Sequence, residues 1–145
     1  MALTIADQYY LKAVDSYPYN LEESIENLNY VLSYDKEHAG GNCLMGRLYM
    51  EQFNDYQTAE DYFLKALGCD PCHLETCRWY ANLLIEQKDF DKAEKLIAHA
   101  LTIRSADLAV MYRLKGLLNE YQRNYTAAKQ LYEMAMDETF NSDFM

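Results

Sequence analysis

The side chains best suited to chemistry in this sequence are four cysteines, one of which directly precedes a histidine. Cys69, Cys72 and His73 form a C-x-x-C-H string, which is the letter pattern of c-type haem attachment, and Cys77 follows four residues later. Thiolates and imidazoles are also zinc ligands, and Cys69 and Cys72 are spaced to form a reversible redox pair.

Three features of the chain weaken the haem and zinc readings. A zinc set inside one tight turn lacks the two separated ligand pairs of structural sites. Haem attachment needs an exported chain and a cavity, and the sequence indicates neither. Cys77, the fourth candidate zinc ligand, has the spacing of a small core residue. We therefore predict no metal and no cofactor, and the redox pair stays open as an alternative. The isolated histidines His38 and His99 are expected to be ordinary surface or packing residues.

Composition disfavours a nucleic-acid binder, and the absence of catalytic motifs predicts a non-enzymatic protein. The chain has 145 residues with 13 Lys and Arg against 23 Asp and Glu, a net charge of −10. That charge disfavours nucleic acid and anionic membranes as partners. No nucleophile–histidine–acid set and no glycine-rich phosphate loop stands out. Because the N-terminus lacks the basic and apolar regions of a signal peptide, we expect a cytoplasmic protein.

A repeat of about 35 residues positions all of these side chains. Four segments place a small residue, a large residue and a second small or branched residue at i, i+4 and i+7, which is one face of an α-helix. The triads are Ser24, Leu28 and Val31; Ala59, Phe63 and Ala66; Ala93, Ile97 and Ala100; and Ala128, Tyr132 and Ala135. A constant period of this length is typical of a solenoid.

Each triad follows another helical pattern, so every unit is predicted to be helix–turn–helix and the chain to have eight helices. The units span 4–38, 39–72, 73–106 and 107–138 of one domain, and 139–145 form a tail. Cap-plus-acid spacing predicts starts of second helices at three places. These pairs are Asn20 and Glu23, Thr58 and Asp61, and Asp91 and Glu94. Asp70-Pro71 is predicted to open the third unit, with Pro71 at the first helical position.

The second unit carries the sequence pattern of a known family, in Met45-Gly46, Tyr49, Ala59, Phe63, Ala66 and Asp70-Pro71. Over about residues 4–138 the chain resembles the tetratricopeptide repeat (TPR) family. The resemblance implies an all-α, right-handed α-solenoid of four repeats that binds a protein partner. It also implies packing roles for the repeat positions. These are Gly46, Ala59, Phe63, Ala66, Pro71, Ala81, Ala93, Ala100, Gly116, Ala128 and Ala135.

In that family the first helices of successive repeats line a concave groove. With Gly46, Ala81 and Gly116 in equivalent places, the register puts three of the five arginines on the inner face. The predicted peptide-binding residues are Tyr9, Tyr17, Arg47, Arg78, Asn82 and Arg113. The arginines and Asn82 would hold an acidic segment, and the two tyrosines an apolar or basic portion. The alternative is that the arginines pair with acids of neighbouring helices, such as Glu75, Glu86 or Glu120.

The C-terminal end offers a second kind of interaction. The last helix is predicted to end near Glu138, with no further helix to shield the last repeat. Either the tail folds back through Phe140 and Phe144, or the fourth repeat forms a homodimer.

The sequence as a whole predicts an adaptor or chaperone-like module that binds a peptide. A self-associating scaffold is the alternative, and a cysteine-based redox or metal protein is a third reading.

Overall fold

The computed structural model describes residues 2–143, with side chains described as far as residue 140, and this range folds into eight α-helices. They are α1 (Ile5–Ser16), α2 (Leu21–Tyr34), α3 (Ala39–Gln52), α4 (Tyr56–Cys69), α5 (Leu74–Glu86), α6 (Phe90–Leu101), α7 (Leu108–Tyr121) and α8 (Tyr125–Asp143). The predicted all-α fold of helix–turn–helix repeats is confirmed.

The helices divide between two compact units, Met1–Thr76 and Cys77–Met145, and α5 begins just before the division. In the first unit α1 packs on α2 and α3 packs on α4. Its core contains Ala13, Tyr17, Leu28, Leu44, Met45 and Leu48. In the second unit α7 packs on both α6 and α8. The buried side chains of these three helices include Ile97, Met111, Leu114, Leu118 and Ala128.

Small residues let the two helices of a repeat approach closely. A Cβ atom built on Gly46 would lie 2.7 Å from the Phe63 ring and 3.1 Å from the Ala59 carbonyl oxygen. A Cβ atom on Gly116 would lie 2.7 Å from the Tyr132 ring. Ala81 and eleven of the twelve triad positions are buried as well, and the twelfth, Tyr132, is half-buried. The eleven are Ser24, Leu28, Val31, Ala59, Phe63, Ala66, Ala93, Ile97, Ala100, Ala128 and Ala135.

One of the three predicted helix caps lies where the sequence placed it. Asn20 precedes α2, and its Oδ1 accepts a hydrogen bond of 3.1 Å from the Glu23 backbone N–H. For α4 the prediction was wrong, because Asp55 is the cap. Thr58 lies inside the helix and donates its hydroxyl to Asp55 Oδ2 at 2.8 Å. The cap position of α6 is likewise earlier than predicted, at Asp89, and Asp91 belongs to the first turn.

A residue in the left-handed backbone conformation precedes α4, α6 and α8, and it explains why the caps of α4 and α6 lie earlier than predicted. Asn54, Lys88 and Arg123 have φ values of 52°, 62° and 65°, and they recur at the repeat period. Each reverses the chain immediately before the second helix of its repeat. The residue after this turn is Asp55, Asp89 or Asn124, all of which are good cap residues. Sequence spacing alone did not reveal the left-handed turn, because only Asn54 is of a type that favours it.

Pro71 does not open α5, contrary to the prediction. Asp70 ends α4, and its Oδ1 accepts a 3.0 Å hydrogen bond from the Cys72 backbone N–H, so the proline lies in a turn. The helix begins instead at Leu74, after His73. The His73 ring nitrogen Nδ1 accepts from the Thr76 backbone N–H at 3.3 Å and also lies 2.8 Å from the Thr76 hydroxyl.

The same turn occurs one repeat earlier. Asp35 Oδ1 accepts from the Glu37 backbone N–H at 3.0 Å, and His38 Nδ1 accepts from the Gly41 backbone N–H at 2.9 Å. His38 is therefore the N-cap of α3 rather than an ordinary surface or packing residue. Asp-x-x-His ends one repeat and begins the next in both places, 35 residues apart.

The last helix is longer than predicted. Instead of ending near Glu138, α8 continues to Asp143, and its 19 residues make it the longest of the described helices. No glycine or proline interrupts this stretch, and the Thr139 hydroxyl donates to the Ala135 carbonyl at 3.0 Å. Phe140 is thus helical rather than part of a folded-back tail, and Phe144 lies outside the described residues. None of the helices in residues 2–143 combines the length and apolar character needed to cross a membrane.

Candidate protein-binding surfaces

A groove of about 560 Å³ opens between α7 and α8 in the second unit. Most of its lining is apolar, and Asp107 and Arg113 are the charged residues that line it. It is lined by Asp107, Ala109, Val110 and Arg113 from α7 and its cap, and by Tyr132, Ala135, Met136, Thr139 and Phe140 from α8. The extension of α8 beyond Glu138 supplies two of these residues, and sequence reasoning did not place them in a helix.

Arg113 is the exposed cation of this groove. Its guanidinium forms no hydrogen bond or ion pair with any other residue in the described part of the chain. Asp107 and Glu120, the acids at the cap and in the last turn of α7, have other partners. Asp107 Oδ1 accepts from the backbone N–H groups of Ala109 and Val110 at 3.1 and 3.3 Å, and Glu120 accepts the Tyr132 hydroxyl at 2.9 Å. No ion pair between Glu120 and Arg113 occurs among the described residues.

The Tyr132 hydroxyl keeps its proton in this arrangement. Burial, and then the hydrogen bond to the Glu120 carboxylate, raise the pKa of Tyr132 to about 12. The phenol therefore stays a neutral donor that fixes Glu120. The Tyr132 ring packs against Gly116, where the absence of a Cβ atom leaves room for it. The same ring lines the groove.

Arg47 differs from Arg113 because it has partners within its own unit. Its Nε donates to Glu51 Oε1 at 2.7 Å, and its guanidinium carbon lies 5.1 Å from the centre of the Tyr17 ring. Here the ion-pair alternative applies, although the acid is one turn away on the same helix. An arginine that is stacked and paired must break contacts before it can bind a ligand carboxylate.

Tyr17 does not belong to a binding surface, contrary to the prediction. Only 6% of its surface is exposed, and its hydroxyl donates to Glu51 Oε1 at 2.8 Å. Burial is the main reason why the pKa of Tyr17 is raised to about 12. The sequence misplaced it because Tyr17 closes α1 against the core, where a tyrosine with a hydrogen-bonded hydroxyl is as acceptable as an aliphatic residue.

Arg78 and Asn82 lie on α5 and are half-buried. The guanidinium of Arg78 stacks on the neighbouring Trp79 ring, 5.0 Å from its centre. Neither residue lines the α7–α8 groove. Their place in a peptide-binding face along the first helices stays a prediction.

Tyr9 belongs to a cluster that the sequence only partly indicated. Its ring stacks on Tyr30 of α2 at a centroid distance of 4.8 Å and on Tyr34 at 6.0 Å. The Lys12 ammonium lies 5.0 Å from the centre of the Tyr9 ring. We call Tyr9, Tyr30 and Tyr34 the tyrosine stack. The spacing of four residues between Tyr30 and Tyr34 was a readable signal, since it puts both on one side of α2.

The thiols and the imidazole of the cysteine string lie in different environments. Cys69 and Cys72 are exposed free thiols, Cys77 is buried, and the His73 ring is engaged by Thr76. No group of three potential ligands lies together within the described residues. Burial, and then the carboxylates of Glu37 and Asp35, raise the pKa of the Cys69 thiol. Reactive cysteines have the opposite environment, which lowers the thiol pKa.

Comparison with known proteins agrees with the helix–turn–helix units and the buried triads. The tetratricopeptide repeat family model matches residues 52–118. The solved structure titled "Crystal structure of MamA" is similar to this chain with a TM-score of 0.69, 16% sequence identity and coverage of 100% of both chains. No curated protein sequence matches the chain.

Residues 52–118 thus match the tetratricopeptide repeat family, and the fold is that of a tetratricopeptide-repeat solenoid, as the sequence predicted. The likeness to MamA concerns the fold alone. Repeats of this kind form protein–protein interaction modules, and we place the chain in that class. Which surface binds, and what it binds, has to be argued from the residues of this chain.

Proposed function

We propose that this protein binds a segment of a partner protein in which a carboxylate lies beside a large apolar side chain. The α7–α8 groove is the proposed site. The observation that carries the proposal is the Arg113 guanidinium, which is exposed at an apolar groove and has no acidic partner in the described residues. The proposed role of the protein is that of an adaptor or chaperone-like module, which acts by binding and not by catalysis.

The groove suits such a segment for two physical reasons. A guanidinium presents several N–H donors in one plane and can hold a carboxylate through two hydrogen bonds. The walls formed by Val110, Met136 and Phe140 offer apolar surface, and burial of apolar area supplies binding free energy. Methionine adapts its shape to different apolar partners. The carboxylate thus fixes the orientation of the segment, and the apolar side chain adds affinity.

A defined peptide tests the proposal. Selection from a displayed random-peptide library against the intact chain is expected to enrich an acidic residue next to Leu, Ile, Phe or Met. The affinity of a selected peptide is then measured for Arg113→Glu and for Arg104→Glu. Arg104 is an exposed arginine of the same unit that does not line the groove, so both variants change the charge equally.

Loss of a charge-assisted hydrogen bond costs about 1.5–3 kcal/mol, so Arg113→Glu should weaken binding about ten-fold or more. Arg104→Glu should change it less than about two-fold. Equal losses in both variants would show that only overall charge matters. Enrichment of peptides without acids would also contradict the proposal. The predicted roles of Arg47 in the first unit and of Arg78 and Asn82 in the second are tested separately, by Arg47→Glu, Arg78→Glu and Asn82→Ala.

A second candidate function is self-association through the same end of the chain. Met136 is 71% exposed and Phe140 is 63% exposed, and both lie on α8 beside the groove. Large exposed apolar side chains that lie together are typical of interaction surfaces. Sedimentation equilibrium is expected to give the mass of two chains at high concentration, and Met136→Lys should return it to one. A mass of one chain at all concentrations rejects the scaffold.

A further inference from the structure

The first unit carries an aromatic and acidic surface that the α7–α8 groove does not explain. We propose that the tyrosine stack, together with Glu26, binds an arginine-containing basic segment of a partner protein. This inference is independent of the carboxylate site in the second unit. It concerns a different surface and the opposite kind of charge.

The tyrosine stack is accessible from solvent. Tyr30 is 43% exposed and Tyr34 is 58% exposed, although both rings already stack on Tyr9. Aromatic contact holds the rings in fixed positions, so little side-chain freedom remains to be lost on binding. The faces and edges of two ordered phenol rings are therefore presented by one side of α2.

The tyrosine stack already interacts with a cation from its own chain. The Lys12 ammonium lies over the Tyr9 ring, 5.0 Å from its centre. Lys12 forms no ion pair with an acid in the described residues, so the ring system is its principal partner. This contact shows that the geometry of the stack accepts a positive group. An arginine is better suited than a lysine, because its planar guanidinium can stack on a ring face.

Charge favours the same ligand. Glu26 lies one turn before Tyr30 on α2, it is exposed, and it has no ion-pair partner in the described residues. The unit Met1–Thr76 contains four Lys and Arg against 13 Asp and Glu, a net charge of −9. Cys77–Met145 contains nine against ten, a net charge of −1. A basic segment is therefore drawn to the unit that carries the stack.

The test must separate the rings from diffuse negative charge, and charge-neutral variants do this. The probe is a fluorescein-labelled peptide of five Arg-Gly repeats, and its anisotropy is measured with the intact chain at 150 mM salt. The test variant is Tyr30→Leu with Tyr34→Leu. The control is Tyr19→Leu with Tyr125→Leu, because those tyrosines are 91% and 64% exposed and lie outside the stack. Far-ultraviolet circular dichroism and urea midpoints establish that each variant is folded.

The stack variant is expected to bind the probe at least five-fold more weakly than the wild-type chain, and the control variant within two-fold. Tyr30→Phe with Tyr34→Phe keeps both rings and should keep most of the affinity. Glu26→Gln should weaken binding several-fold, whereas Glu22→Gln, an exposed acid in the first turn of the same helix, should not. A Lys-Gly peptide of equal charge should bind more weakly than the Arg-Gly peptide.

Several results would overturn the inference. Equal affinity of the stack variant and the wild-type chain would show that acidic charge alone attracts the probe. Equal losses in the stack and control variants would show that no particular tyrosine matters. Absence of measurable binding by the wild-type chain, or an anisotropy change caused only by self-association of the chain, would reject the basic segment as the occupant.

Discussion

The imidazole of His38 joins Asp7 of α1 to the start of α3. Its Nε2 lies 2.8 Å from Asp7 Oδ1, while its Nδ1 accepts the backbone N–H of Gly41 at 2.9 Å. The ring therefore donates on one side and accepts on the other, which defines a neutral tautomer with the proton on Nε2. One side chain thereby caps a helix and links the first two repeats.

Two substitutions at His38 separate these roles. His38→Asn keeps a side-chain acceptor for the Gly41 N–H but is too short to reach Asp7. His38→Ala loses both contacts. We expect His38→Ala to lower the free energy of unfolding by about 1 kcal/mol more than His38→Asn, since a lost helix cap costs about that much. Urea denaturation measures the difference, and equal values for the two variants would mean that the cap contributes nothing.

Asp7 predicts a contribution to acid sensitivity. The hydrogen bond from His38, and then those from Thr4, lower the pKa of Asp7 below its usual value of 3.8. The carboxylate therefore stabilises the fold above pH 3.8, and this contribution is lost as the pH falls through the folded-state pKa. Asp7→Asn should flatten the dependence of the urea midpoint on pH below about 4. An unchanged slope in Asp7→Asn would contradict the assignment.

His73 predicts a second pH effect, in a higher range. Burial is the main cause that lowers the pKa of His73 below 6.5, and Asp70 and Glu75 oppose the shift. Because the unfolded chain takes up the proton more readily, stability falls as the pH drops below 6.5. His73→Asn keeps a cap acceptor and should remove this loss between pH 6.5 and 5. The exposed His99 provides the control, and His99→Asn should keep the wild-type profile.

The glycines of α3 and α4 predict opposite effects of the same substitution. An added Cβ at Gly46 meets Phe63 at 2.7 Å, whereas at Gly68 it meets nothing within 4 Å. Gly46→Ala should overpack the repeat and cost about 1–3 kcal/mol. Gly68→Ala should instead stabilise by about 0.5 kcal/mol, because the unfolded chain loses freedom. Thermal denaturation of both variants measures these two changes in stability. A Gly46→Ala protein as stable as the wild type would show that the helix pair tolerates a wider spacing.

Much of the fold was readable from the sequence, because packing leaves a periodic pattern. The triad that begins at Ala59 and contains Phe63 predicted both the helix and its buried face, and both are observed. Turn chemistry was less readable. Thr58 and Asp55 are both good caps, and the choice depends on the left-handed turn at Asn54, which has no unique sequence signal.

The binding surfaces were predicted less well, for a physical reason. Helix register indicates which side chains share a face, but it does not say which of them already have partners. Arg47 and Arg113 were both predicted on the inner face, yet Arg47 is paired with Glu51 and Arg113 has no such partner in the described residues. Tyr30 and Tyr34 were missed because their role depends on contact with Tyr9 across two helices.

Backbone amide NMR can locate the proposed binding of a carboxylate-bearing apolar segment between α7 and α8. The ¹⁵N-labelled chain is titrated with a peptide obtained by selection against it. The largest shift changes are expected near Val110, Arg113, Tyr132 and Phe140. Arg113→Glu should abolish them, and Arg104→Glu should not. Shift changes confined to α1–α4, or shift changes that persist in Arg113→Glu, would contradict the proposed binding.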